Sequence, residues 1–270
     1  MVALKLGKLN MIDAVKATPI KGGGGIDTFM NTALAAPITG LMPPEILGAI
    51  LSVNTKPVSF AVAVYDPVSA AERTGFENPF GEGVGFRASA TLKAKPFGLQ
   101  GFYGIKAMFS TLQGFDFNAI PDLLSPSGNG TVSMTRSCPY YSAVSVQQYL
   151  YQDSSDPSRG WGFFGEFGMS DGNPTAQQWA ALLGFGGTSP LPDRAADLWG
   201  IGVFRNSLTD PLVWGMRSLL ELREEQGLEF FYNVALTPWL HVTPDIQVAS
   251  PFLEHNPSAV FASLRMNFKF

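Results

Sequence analysis

Residues 58–66 read VSFAVAVYD, and the alternation in that stretch recurs along the whole chain. Val58, Phe60, Val62 and Val64 share one face of a strand, because successive side chains point to opposite sides. In EGVGFRASATLK, Val84, Phe86, Ala88, Ala90 and Leu92 face one way, and Gly85, Arg87, Ser89, Thr91 and Lys93 the other. The last eight residues, SLRMNFKF, put Leu264, Met266, Phe268 and Phe270 on an apolar face and end on a bare aromatic. Spanning helices need runs of about 20 apolar residues. The nearest approach, residues 33–53, is broken by Pro37, Pro43, Pro44 and Glu45. Yet only 15% of the residues are charged, against about 25% in soluble domains. Such a chain is too apolar for water and has no helix for lipid. An all-β, antiparallel transmembrane β-barrel reconciles the two, since only alternate residues must be apolar.

Strands are expected at 2–10, 46–54, 58–66, 82–94, 98–110, 139–152, 160–170, 175–186, 197–206, 228–236, 238–249 and 258–270, a meander of about twelve. Bacterial barrels place long loops outside and short turns on the periplasmic side. With a periplasmic C-terminus, the long connections 11–45, 67–81, 111–138, 207–227 and 249–257 fall outside. DGNP at 171–174 is short for that side, and 187–196 is long for the other. Residues 211–226, PLVWGMRSLLELREEQ, could form a further strand, which would flip the upstream parity, but helical spacing in Leu212, Met216, Leu219 and Leu220 favours a short helix in an outer loop. Trp161, Trp199 and Trp239 then fall near the periplasmic rim, as an aromatic girdle requires.

Several functions are excluded or weakened. The net charge is −4, and no basic patch with interleaved aromatics suits nucleic acid. One cysteine, Cys138, allows no internal disulfide, and His241 and His255 alone make no zinc site. No cofactor or metal is expected. GWGFFG at 160–165 fits G-x-G-x-x-G but lies inside an alternating segment rather than opening a helix, so a nucleotide site is not expected. GGGG at 22–25 lacks the Lys-Ser or Lys-Thr of a phosphate loop, and no catalytic triad spacing is evident. Glu224 and Glu225 read as a solvated loop face. MVALKLGKLN has no continuous apolar h-region, so the chain reads as a mature form or as lacking its N-terminal part.

LKLGKLNMIDA, GGIDTFMNTALAAPIT, YYSAVSVQQYLYQ, DPSRGWGFFGEFGMSDGNP and GLEFFYNVALTPWLHVTPDIQ together resemble stretches of the OprB-type carbohydrate-selective porins of Gram-negative outer membranes. The resemblance implies a sixteen-strand barrel passing sugars passively, with about twelve strands in residues 1–270 as a single outer-membrane domain. A signal segment and about four strands are then expected before residue 1. The chain departs from the family pattern at Glu166, where a basic residue is expected.

Inward-facing candidates for meeting sugar hydroxyls are Arg87, Lys106, Glu166, His241, Asp245, Arg265 and Lys269, with Tyr65 and Phe102 as aromatics able to stack on a sugar ring. The outer loop at 11–45 is long enough to fold into the lumen. Phe268 and Phe270 resemble the C-terminal signal read by the outer-membrane assembly machinery. Expected partners are mono- or oligosaccharides, outer-membrane lipid and that machinery, with the barrel a monomer or homotrimer. A soluble β-sandwich lectin is the alternative. A barrel-bound hydrolase is a third possibility, without a catalytic constellation to support it.

Overall fold

The computed structural model describes residues 1–11, 20, 27–35, 41–68, 74, 76–124 and 134–269. Twelve strands form one antiparallel sheet: β1 (Val2–Asn10), β2 (Glu45–Asn54), β3 (Val58–Tyr65), β4 (Gly85–Ala94), β5 (Gly101–Ser110), β6 (Tyr140–Gln152), β7 (Gly160–Ser170), β8 (Gln177–Thr188), β9 (Leu198–Leu208), β10 (Glu225–Thr237), β11 (Leu240–Ser250) and β12 (Ala259–Phe268). Each strand pairs with its neighbours in sequence, a pure meander. Among the described residues no ladder joins β1 to β12, which lie at opposite ends of the strand order. Among the described residues, the closure that a twelve-strand barrel would need between the first and last strands is not made.

Register carries the alternation from strand to strand. Val62 faces Ala88, Ala88 faces Ala107 and Ala107 faces Ser142, so the outward residues align in rows. Leu4, Leu6, Phe60, Phe86, Ile105, Val144, Phe167, Leu183, Val203, Phe230, Val260, Leu264 and Met266 are all exposed on that outer surface. The buried side chains lie on the other face, among them Tyr65, Phe164, Phe204, Phe231, Glu229, Asn233 and Asp245. A soluble sandwich hides its apolar face between two sheets. Here a single large sheet exposes its apolar face and buries polar groups, the arrangement of a wall in lipid. The lectin alternative is not favoured.

The connections alternate in length between the two rims except at 171–176, short for the long-loop rim, and 189–197, long for the other. Those at 11–44, 66–84, 111–139, 209–224 and 251–258 leave one rim, and the turns at 55–57, 95–100, 153–159 and 238–239 leave the other. The connection 209–224 contains a helix, α3 (Asp210–Met216), with Pro211 in its first turn. It is shorter than the spacing of 211–226 predicts: after Met216 the chain turns, Leu222 bridges Leu253, and Glu225 and Gln226 already belong to β10. Two elements were not legible. One is a short helix, α1 (Thr32–Ala35), in the first long connection; the other is α2 (Ile120–Leu124), beside a small ribbon pairing 114–115 with 135–136. At the short-turn rim the Trp161 and Trp199 rings lie 6.2 Å apart, and Trp239 stacks on Phe268 at 6.4 Å. Phe270 and the GGGG run at 22–25 lie outside the described residues.

Candidate functional site

The concave face is occupied by part of its own first loop. Asp27–Ala35, here called the strap, lies against β7, β9, β10, β11 and β12. The seat begins with glycine. Gly200 and Gly202 alternate inward on β9, and a Cβ on Gly200 would come within 2.8 Å of the Phe29 ring. A Cβ on Gly202 would come within 2.9 Å of Leu34. The missing side chains open a bay that Phe29 and Leu34 fill. Phe29 meets Phe164 edge-on at 5.6 Å and Phe231 at 4.9 Å, a favourable arrangement for aromatic pairs. Ile20 joins the same cluster, and its N–H donates to Gln147 Oε1 at 3.1 Å.

Polar anchors flank that wedge. Glu229, 0% exposed on β10, accepts from the Met30 N–H at 2.6 Å and the Asn31 N–H at 2.8 Å, one carboxylate oxygen for each. Asn31 Oδ1 in turn accepts from the Ala33 N–H, starting α1. Arg265 Nη2 donates to the Thr28 carbonyl at 2.7 Å and lies 3.8 Å from Asp245 Oδ2. Asp27 receives hydrogen bonds from Lys269 Nζ at 2.9 Å and Asn267 Nδ2 at 3.1 Å, with His241 Nδ1 4.0 Å away. His241 Nδ1 is also 2.9 Å from Asn233 Oδ1, and Asn233 Nδ2 donates to Thr243 Oγ1 at 2.7 Å. Burial pushes the Asp27 carboxyl up, but the Lys269 and Asn267 hydrogen bonds and the Lys269 charge outweigh it. They hold the carboxyl below the ordinary carboxylate range.

A second group of charges sits on β4, β5 and β7. Lys106 and Glu166 form an ion pair at 2.6 Å. The Tyr141 hydroxyl donates to Glu166 at 3.4 Å, and Lys106 lies 5.8 Å from the centre of the Tyr141 ring. Arg87 interacts electrostatically with Tyr65 and Glu166, and its Nε finds no hydrogen-bond partner among the described residues. Tyr65 is fully buried, its hydroxyl donating to the Leu41 carbonyl at 3.0 Å. Phe102 is half-buried against the cluster around Ile20.

The inward residues picked from alternation thus divide into two groups. Arg87, Lys106 and Glu166 come together on one wall, while His241, Asp245, Arg265 and Lys269 gather around the strap. Sequence reasoning missed Glu229, Asp27, Phe29 and Asn233. Alternation does place Glu229 between outward Leu228 and Phe230, so its direction was readable. Nothing in GIDTFMN is periodic, and the partners of Glu229 were therefore not.

A meander with a lipid-facing apolar surface and a polar interior crossed by its own loop defines an outer-membrane diffusion channel. The chain belongs to the OprB family of carbohydrate-selective porins, whose family model matches residues 2–270. It is accordingly a sugar channel of the Gram-negative outer membrane. Two solved structures are similar to it. "High pH structure of Pseudomonas putida OprB" is 19% identical with a TM-score of 0.83, all of this chain aligning with 70% of that one. "Low pH structure of Pseudomonas putida OprB" is 16% identical with a TM-score of 0.56, all of this chain aligning with 62% of that one. At those identities the likeness is one of fold. No match was found among curated proteins.

Proposed function

We propose that sugars cross this channel along the wall carrying Arg87, Lys106 and Glu166, with the strap narrowing the opposite side. The observation that carries this reading is the segregation of charge. On the strap side Glu229, Arg265 Nη2, Asn267 and Lys269 bond the strap, with Asp245 Oδ2 and Arg265 Nε buried beneath it, whereas on the other wall no strap residue meets Arg87, Lys106 or Glu166 among the described contacts. A guanidinium donates several hydrogen bonds and a carboxylate accepts them, which suits neutral hydroxyls. Conduction also requires binding weak enough for release. The Lys106–Glu166 pair is largely self-neutralised, so Arg87 leaves this wall with one excess positive charge. His241, Asp245 and Arg265 act on the sugar indirectly, through the anchoring of the strap; Tyr65 ties a later part of the same loop at Leu41, and Phe102 offers part of an aromatic face.

Passage needs no catalysis. Residues 1–270 act as one channel domain with lipid around the apolar surface, as a monomer or homotrimer. Phe268 and Phe270 present the assembly signal to the insertion machinery in the periplasm. Single-channel recordings of Arg87→Ala, with and without added sugar, test the central assignment. The expected result is altered ion preference and weaker block by sugar. Wild-type conductance, ion preference and sugar block together would reduce Arg87 to an ordinary wall residue.

A further inference from the structure

We infer that Glu229 is the positioning residue of the strap and thereby sets the largest sugar the channel admits. The inference rests on the reading of the chain as a sugar channel. A carboxylate near the middle of a barrel strand, wholly buried, is costly unless its oxygens are satisfied. Both oxygens of Glu229 are satisfied by the strap's backbone, at consecutive residues Met30 and Asn31. Bonds to main-chain N–H groups fix the path of the chain rather than the identity of its side chains. Two at once also fix its register. A slip of one residue would carry Phe29 and Leu34 off the bay left by Gly200 and Gly202.

The other anchors do not replace this one. Asp27 and Thr28 are tied to β12 through Lys269, Asn267 and Arg265, all at the beginning of the strap. Beyond Thr28, the remaining side-chain tie from Asn31 is the long contact of its Nδ2 with Gln247 Oε1 at 3.4 Å. The tract held by Glu229's bonds, between the buried Phe29 and the buried Ala33 and Leu34, is the exposed part of the strap. Met30 is 44% exposed, Thr32 is exposed, and the Met30 thioether lies 3.6 Å from the Ser263 hydroxyl. Release of the Met30–Asn31 backbone would let that tract leave the wall while Asp27 and Thr28 stayed attached.

The experiment compares wild type, Glu229→Gln and Glu229→Ala by single-channel conductance and by swelling of proteoliposomes in sugars of graded size. Barrel folding is checked by heat-modifiable mobility in electrophoresis. Glu229→Ala should lose the wild-type size cut-off and change the open conductance. Glu229→Gln, which keeps one acceptor, should fall between. A rescue separates positioning from mere structural support. In a Cys138→Ser background, Met30→Cys and Ser263→Cys are joined by a short thiol-reactive cross-linker in the Glu229→Ala protein. Cross-linking should restore the cut-off. A folded Glu229→Ala barrel with unchanged conductance and cut-off overturns the inference. So does loss of the barrel in both variants, or a cut-off that the cross-link does not restore. If wild type conducts ions but passes no sugar, the sugar reading fails instead, and the conductance comparison still decides the role of Glu229.

Discussion

Gly200 shows how one absent side chain organises the interior. Its Cβ would fall 2.6 Å from Phe231 and 2.8 Å from Phe29, both buried, so no side chain fits without moving one ring. Gly200→Val should expel Phe29 and cost about 1–3 kcal/mol through overpacking. Urea unfolding in detergent, with conductance as the readout of strap position, checks this. Asp27 allows a pH prediction. Its folded carboxyl titrates below the ordinary value, so its contribution is complete above the unfolded pKa and is lost as pH falls through the lower folded one. The groups facing it are Lys269, Asn267, His241 and, more remotely, Asn233 and Arg265. Strap attachment should therefore hold at neutral pH and weaken below about pH 4, near the unperturbed Asp value. Asp27→Asn should loosen the strap at all pH values, flattening the acid dependence of conductance. An unaltered acid response in Asp27→Asn would assign the effect to other groups.

At the scale of elements, the strands were legible and the packed loop was not, for one physical reason. Alternation records which face meets lipid, and every strand that spans must show it; β3 and β12 do so almost residue by residue. Boundaries slipped where the rim is ambiguous. β4 begins at Gly85, not at Glu82, because the Gly81 N–H turns back on the Asn78 carbonyl and only Val84 reaches Thr111. The strap follows no period. Its place is set by a glycine bay on β9 and a carboxylate on β10, far away in sequence. The long turn between β8 and β9 has a comparable local logic. Asp197, 1% exposed, accepts from Arg194 Nε at 2.6 Å, the Tyr232 hydroxyl at 3.0 Å and the Ala235 N–H at 2.9 Å. The Asp197 hydrogen bond and charge push the Arg194 guanidinium up. Asp197→Ala leaves the Ala235 N–H without this acceptor and should cost about 1–3 kcal/mol. Asp197→Asn, which keeps one acceptor oxygen, should cost less. Equal unfolding midpoints for the two variants would show that the turn does not depend on this side chain.

For the whole molecule, the decisive property is which face of the sheet meets lipid, and adjacent residues can test it at one depth. Ala90 and Thr91 sit near the middle of β4. Ala90 lies between Phe60 and Ile105 on the outer surface, and Thr91 lies between Ser59 and Gly104 on the inner one. A lysine facing lipid at the bilayer midplane costs about 2–4 kcal/mol, whereas a lumen substitution mainly tunes selectivity. Ala90→Lys should thus destabilise the protein in lipid by roughly that amount. Thr91→Lys should leave stability nearly unchanged and shift ion preference toward anions, because it adds a cation to the wall shared by Arg87 and Lys106. The measurement is urea unfolding in bilayers paired with reversal potentials across a salt gradient. In water a single exposed lysine costs little on either face, so a soluble sheet would show no such contrast. If Thr91→Lys proved the more destabilising in bilayers, the inward and outward assignments would be reversed, and the sugar path along Arg87 would be lost with them.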